Sequence, residues 1–249
     1  MPNFLKEPNL PSGKVCLAAI GGKYAAQLEE ALATYGVKLL CCPDNPCVDA
    51  RLGSHIDLSV FHIAENRFLL AKQAAESRFA EALIEVGAEI IVSEKNLSSE
   101  YPNDAPLCAL SINGKIFHNR KFSDRYIASE NPGSFFHVKQ GYAKCAVCPV
   151  AGDAAISSDK GIASEMRERG IEVLEIAPGH VALQGYAEGF IGGASFKISA
   201  DTLAFTGLLD EHPDRVKIEH FLERHGVLPV YLTDKQIFDV GSVIPVLEV

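Results

Sequence analysis

Along this chain an apolar stripe of helical period repeatedly gives way, across a glycine, to a short unbroken apolar run. In AAQLEEALATYGVKLLCCP, Ala25, Leu28, Leu32 and Tyr35 fall on one helical face and Gly36 follows. RFAEALIEVGAEIIVSE repeats the phrase with Phe79, Leu83 and Val86 before Gly87. GIASEMRERGIEVLEIAPG carries Ile162 and Met166 before Gly170, and DRVKIEHFLERHGVLPVYL carries Ile218, Phe221 and Leu222 before Gly226. A weaker copy, FSDRYIASENPGSFFHV, has a short polar helix, then Gly133, then an apolar run. A glycine just past a helix end supplies the left-handed residue that closes it without a Cβ penalty, and each run after it reads as a buried strand. The five glycines are spaced by roughly 40–55 residues, the period of a propeller-like array.

Between these phrases lie pairs of short strands joined by tight turns: DLSVFHIAENRFLLA, CALSINGKIFHN, CAVCPVAGDAAISS and ASFKISADTLAFTG. Their turn residues are Glu65-Asn66, Asn113-Gly114, Gly152-Asp153 and Ala200-Asp201, the chemistry that hairpins demand. A last strand, in DVGSVIPVLEV, meets the C-terminus, where the initial strand Val15–Ala19 can close a ring against it. The pattern predicts an α/β domain spanning 1–249, built as a five-bladed propeller of pseudo-repeated ββαβ units around a common axis.

The charge changes this picture little. The formal net charge is −9 and the basic residues are scattered, so there is no concentrated basic face for nucleic acid or an anionic membrane. An acidic balance suits a cationic small molecule. No apolar run reaches the roughly 18–20 residues that span a bilayer. The start, MPNFLKEPNLPSGK, lacks a signal-peptide apolar region. Seven cysteines, with Cys41 and Cys42 adjacent and Cys16 and Cys108 in strand-like contexts, read as reduced thiols and a cytoplasmic location. The oligomeric state is not legible.

A ring of five ββαβ units resembles the pentein superfamily of guanidino-group-modifying enzymes, which includes arginine and agmatine deiminases and amidinotransferases. The stretches SHIDLSVFHI (54–63), KQGYAKCAVCPV (139–150), GFIGGASF (189–196) and DVGSVIPV (239–246) carry the resemblance, closest to an uncharacterised bacterial branch. It implies a central channel with an active site at its mouth and no metal or organic cofactor. His55-Ile56-Asp57 resembles the His-x-Asp strand motif of the deiminases, where the His is an acid/base and the Asp grips the guanidinium. Two residues two apart on a strand face one side and can share a ligand. The sequence departs from the family in two ways. The C-terminal stretch that would hold the nucleophilic cysteine has Gly241, Ser242 and Pro245 but no thiol, and the His-x-Asp lies in the first repeat.

Cys145 and Cys148 are the remaining candidates for a nucleophile on a hairpin strand; their opposite parity leaves the choice between them open. Lys144 or a protonated His55 would lower the thiol pKa. Glu188 and Asp239 are candidate guanidinium-binding acids, and Gly192, Gly193 and Ser242 are placed beside the ligand. C-A-V-C also fits half a zinc site or a redox pair, but the Cys41, Cys42 and Cys47 cluster has the wrong spacing for the other half. Gly21-Gly22 lacks the third glycine of a nucleotide fingerprint. Asp153, Asp159, Asp201 and Asp214 read as turn and N-cap residues. Two functions remain: an enzyme acting on a C–N bond of a small guanidino or amidino compound, with a Cys nucleophile, His55 and Asp57; or a non-catalytic pentein that binds a ligand or protein.

Overall fold

In the computed structural model, residues 2–130 and 132–249 are described. Asn131, in the weaker third copy, and Met1 lie outside them. Strands β1 (Asn3–Phe4) and β2 (Val15–Gly21) lead into helix α1 (Gly22–Thr34) and strand β3 (Lys38–Cys42). A second unit follows: β4 (Val60–Ala64), β5 (Arg67–Leu70), the single turn α2 (Lys72–Ala75), α3 (Arg78–Glu85) and β6 (Glu89–Val92). The third is β7 (Leu110–Ile112), β8 (Lys115–His118), α4 (Arg125–Glu130) and β9 (Phe135–His137). The fourth opens with the one-turn helix α5 (Ala143–Ala146), then β10 (Val147–Ala151), β11 (Ala154–Ser157), α6 (Lys160–Glu168) and β12 (Glu172–Glu175). The fifth is β13 (Ser195–Ser199), β14 (Thr202–Phe205), α7 (Arg215–Arg224) and β15 (Leu228–Tyr231), and β16 (Ile244–Glu248) ends the chain.

Each unit is an antiparallel hairpin followed by a helical crossover to a parallel third strand, giving sheets such as β4-β5-β6 and β13-β14-β15. The first blade takes its inner strand from the other end of the chain: β16 pairs antiparallel with β2, in the order β1-β16-β2-β3. The ring is therefore closed by the two ends of the chain, as the sequence pattern predicts. The five sheets are the five blades.

The glycine stops hold at four of five positions. Gly36, Gly87, Gly170 and Gly226 have φ of 79°, 100°, 79° and 66°. Gly133 departs from the expectation: it sits in a 3-10 turn, Pro132–Ser134, rather than in the left-handed region. Tyr35 and Val86 also depart. Both are helix C-caps, past the end of the buried stripe, and both are exposed. The hairpin turns form as expected, with left-handed φ at Glu65, Asn113 and Gly114.

The inner strands β4, β7, β10, β13 and β16 are almost wholly buried, whereas the third strands β3, β6, β12 and β15 are largely half-exposed or exposed. Hydrophobic cores fill the spaces between sheets and helices, with Phe68, Phe117 and Phe205 among the largest fully buried side chains. Asp159 caps α6 by accepting from the Gly161 and Ile162 amides. Asp214 stands at the N-cap of α7 but turns its carboxylate elsewhere, to the Ala177 amide and Lys217. Among the described residues, no helix is long and apolar enough to cross a membrane.

Candidate active site

The chain segments that feed the inner strands converge at one end of the axis, and their backbones are tied to one another. The Lys144 amide donates to Cys108 O at 3.1 Å and the Gly193 amide to Cys145 O at 3.0 Å. The Val240 and Ser242 amides both donate to Gly193 O at 3.1 Å, and the Asp57 amide donates to Gly241 O at 3.2 Å. All five blades thus place residues far apart in sequence on one hydrogen-bonded run around the axis. Each of these residues lies just ahead of an inner strand, which is why the repeat pattern and the site positions coincide.

Glycine is required at this ring. A Cβ on Gly192 would lie 2.1 Å from Val147 O, and one on Gly193 would lie 2.0 Å from Asp239 Oδ1. Both positions are close approaches of backbone near a crowded axis. Gly193→Ala is expected to displace the Asp239 carboxylate and cost at least about 2 kcal/mol, read as a lower urea midpoint.

His55 and Asp57 are reached by a different local structure from the one the sequence suggested. They do not lie on a strand. Residues Ile56–Leu58 form a 3-10 turn whose N-cap is His55, and β4 begins only at Val60. Cys145 is likewise on the short helix α5 and not on a hairpin strand. These turns still bring the three side chains together. One donor atom from each of His55, Asp57 and Cys145 lies within 4.8 Å of the others, and all three residues are buried. Cys145 Sγ donates to Asp57 Oδ2 at 2.7 Å. Imidazole, carboxylate and thiol at this spacing also supply three donors of the kind that zinc takes.

Asp57 is further held by Ser242, whose Oγ donates to Asp57 Oδ2 at 2.9 Å. The buried Lys144 ammonium donates to Ser242 Oγ at 3.1 Å and to Gly192 O at 3.4 Å. Ser242 is fully buried with φ of 74°, a strained conformation for a residue with a Cβ, and these bonds hold it there. Asp239 accepts from the Gly241 amide at 2.8 Å and the Phe190 amide at 2.9 Å, and its Oδ1 lies 4.0 Å from His55 Nδ1. His55 Nε2 and Asp57 Oδ1 are buried without a partner among the described residues.

Burial, the neighbouring Cys108 thiol, and the carboxylates of Asp57 and Asp239 push the Cys145 thiol well above its ordinary value. Burial likewise raises Asp57, against the opposing pull of His55, Cys145 and Lys144. Burial thus disfavours the charged form of both groups.

His55, Cys145 and Asp239 open onto a pocket of about 210 Å³, walled by Leu52, Leu58, Tyr142, Leu183, Tyr186, Glu188 and Phe190. Glu188 is an exposed part of that wall. Cys148 is not brought to this group. It points into the core between the fourth and fifth blades with Val150, Ile191 and Leu203, and burial holds its thiol up at about 11. Lys144 and Ser242 face Asp57 from behind, so they are tied to the carboxylate rather than to the pocket. The aromatic wall and the place of Cys108 beside Cys145 are not legible in the sequence. Tyr142 lies within KQGYAKC, but nothing in its spacing marks it.

Comparison with solved structures gives the same architecture. An amidinotransferase of the saxitoxin biosynthetic pathway from Microseira wollei superposes with a TM-score of 0.63 at 8% identity, over 98% of this chain and 97% of that one. The C. jejuni agmatine deiminase with substrate bound gives 0.58 at 10% identity, over 99% and 96%. DDAH from Pseudomonas aeruginosa, complexed with citrulline, gives 0.52 at 9% identity, over 90% and 92%. The fold is that of the guanidino-modifying penteins. Residues 19–244 match a family of unknown function, DUF6873, and the chain belongs to that family. No curated protein matches it.

Proposed function

We propose that residues 1–249 act as one catalytic domain that breaks a C–N bond of a small guanidino or amidino compound, as a hydrolase or transferase. The observation that carries this reading is the Cys145–Asp57 hydrogen bond beside His55, at the edge of a pocket that also presents Asp239 and Glu188. A planar cation suits that lining. Its N–H groups find carboxylates and its faces find Tyr142, Tyr186 and Phe190.

The cation also removes the obstacle to catalysis. A unit positive charge about 4 Å from the sulfur is worth about 4 kcal/mol at the effective dielectric of a protein site. That is about three pK units in favour of the thiolate, opposing the rise that burial imposes. The thiol proton passes to His55 or the carboxylates, and Sγ attacks the central carbon. The C–N bond to the leaving amine breaks as His55 donates a proton to that nitrogen. An amidino-thioether at Cys145 remains, and water or a second amine releases it. Asp57 and Asp239 hold the cation throughout. Seven free thiols suit a reducing compartment such as the cytoplasm.

Acid quenching during incubation with a panel of guanidino and amidino compounds, followed by peptide mass spectrometry, is expected to trap that adduct on Cys145. The second reading, a ligand-binding scaffold, is favoured by one observation: the thiol is buried and held protonated. Ligand binding across the panel with neither adduct nor turnover would establish it in place of the enzyme.

A further inference from the structure

The pocket beside Cys145 carries few polar groups. His55, Cys145 and Asp239 are buried in its lining, and Glu188 stands exposed in its wall. The rest of the lining is Leu52, Leu58, Leu183, Tyr142, Tyr186 and Phe190. Leu52 and Leu58 belong to the same core cluster as Cys145, with Tyr142, Leu183 and Phe190 packed against it, so the pocket is a recess in a hydrophobic core. The Tyr142 and Phe190 rings stand 6.4 Å apart between centroids.

The hydrogen-bond donors around this wall are committed elsewhere. The Tyr142 hydroxyl donates to Asp104 Oδ2. Arg51 lies over the Tyr186 ring at 4.3 Å from its centroid, but its guanidinium is taken by Asp49 and Gly185 O. Lys144 bonds Ser242 and Gly192 O behind Asp57. The described residues that line the pocket include no lysine, arginine, asparagine or glutamine. A carboxylate brought in here would lose its water and meet Asp239 and Glu188 without a donor to receive it. An apolar substituent gains by leaving water, by about fourfold in affinity for each methylene buried.

We infer that the substrate is a guanidinium or amidinium bearing an uncharged apolar substituent, an alkyl or aryl group, with the cation beside Cys145 and the substituent against Leu58, Leu183 and the rings of Tyr142 and Phe190. This rests on the proposed guanidino site and narrows its substrate class. An apolar cavity of about 150 Å³ holds a benzene ring. The pocket, at about 210 Å³, has room for one ring joined to an amidinium. Leu183 is then a binding residue that touches the substituent and takes no part in the chemistry. It is half-buried, so its replacement spares the core.

The test is calorimetric titration of the full chain with methylguanidinium, butylguanidinium and phenylguanidinium. Two comparators accompany them: γ-guanidinobutyrate, in which a carboxylate replaces the terminal methyl of butylguanidinium, and neutral butylurea. Butylguanidinium and phenylguanidinium are expected to bind at least about tenfold tighter than methylguanidinium, part of what full burial of three methylenes gives. γ-Guanidinobutyrate should bind at least about tenfold more weakly than butylguanidinium, because its carboxylate is left unpaired. In Leu183→Asn the gain from the butyl group should shrink severalfold while methylguanidinium binds as before. Methylguanidinium binding with no gain from either substituent would overturn the inference while leaving the guanidino site standing. γ-Guanidinobutyrate binding as tightly as butylguanidinium, or a gain that survives intact in Leu183→Asn, would overturn it too. Failure of every guanidinium to bind, or equal binding of butylurea and butylguanidinium, would remove the guanidino site itself, and this narrowing with it.

Discussion

Cys145→Ala is expected to lower kcat by about four orders of magnitude or more, because a covalent route loses its only nucleophile. Ligand binding should survive, since the cation is held by Asp57, Asp239 and the aromatic wall. The variant even relieves one constraint, freeing Asp57 Oδ2 from the thiol. Cys148→Ala is the matched control. That thiol is fully buried in a different core, so its loss should cost about 1 kcal/mol of stability and leave the chemistry in place. Steady-state rates and urea midpoints of the two variants, measured side by side, separate the roles. Equal loss of activity in both, or none in Cys145→Ala, would put the nucleophile elsewhere.

Stability should fall steeply as pH drops from about 6.5 to about 4, before most surface carboxylates titrate. Two buried imidazoles cause this. His62 Nε2 bonds Glu65 O at 2.8 Å and the ring stacks on Phe68 at 4.3 Å. His118 Nε2 bonds Gly141 O at 2.9 Å. His62 Nδ1 is buried with no hydrogen-bond partner among the described residues, and the backbone carbonyls that His118 meets do not offset its burial. A second proton would place an unsatisfied charge in an apolar setting, and burial accordingly holds both down at about 4. The unfolded chain binds these protons at about 6.5, so between the two values it holds more protons than the native state. Native stability is therefore fully present above about 6.5 and is lost as pH falls through the window, by up to about 3 kcal/mol per imidazole. Urea midpoints measured across this range should show the slope, and His118→Gln, whose amide can still donate to Gly141 O, should flatten it. A midpoint constant down to pH of about 5 would contradict the assignment of both rings as neutral.

The ring was legible because it is periodic. Helical stripes ending at Gly36, Gly87, Gly170 and Gly226, and hairpin turns such as Asn113-Gly114, are local signals that tertiary packing did not override. Gly133 failed because the third copy closes its helix through a 3-10 turn instead of a left-handed residue. The site was legible in its residues more than in its geometry. His55, Asp57 and Cys145 stand out as residue types, but they sit on helical turns where the sequence pattern suggests strands. Strand parity could not separate Cys145 from Cys148, because the first lies on a helical turn and the second on a strand. The aromatic wall comes from loops brought together by ring closure, and no short-range pattern encodes that. Asp239 was legible only by its place before a glycine; its contact with His55 spans most of the chain.

The central claim is that a cation is drawn to the thiol of Cys145. Its most direct test compares two electrophiles of nearly the same shape, chloroacetamidine and its neutral counterpart chloroacetamide. Labelling sites and rates are read by peptide mass spectrometry at neutral pH. The amidinium should seat against Asp57 and Asp239, lower the thiol pKa, and alkylate Cys145 at least about tenfold faster than the amide does. The exposed Cys41 should show no such preference. Equal rates for the two reagents at Cys145, or labelling confined to Cys41 and other exposed thiols, would contradict the account.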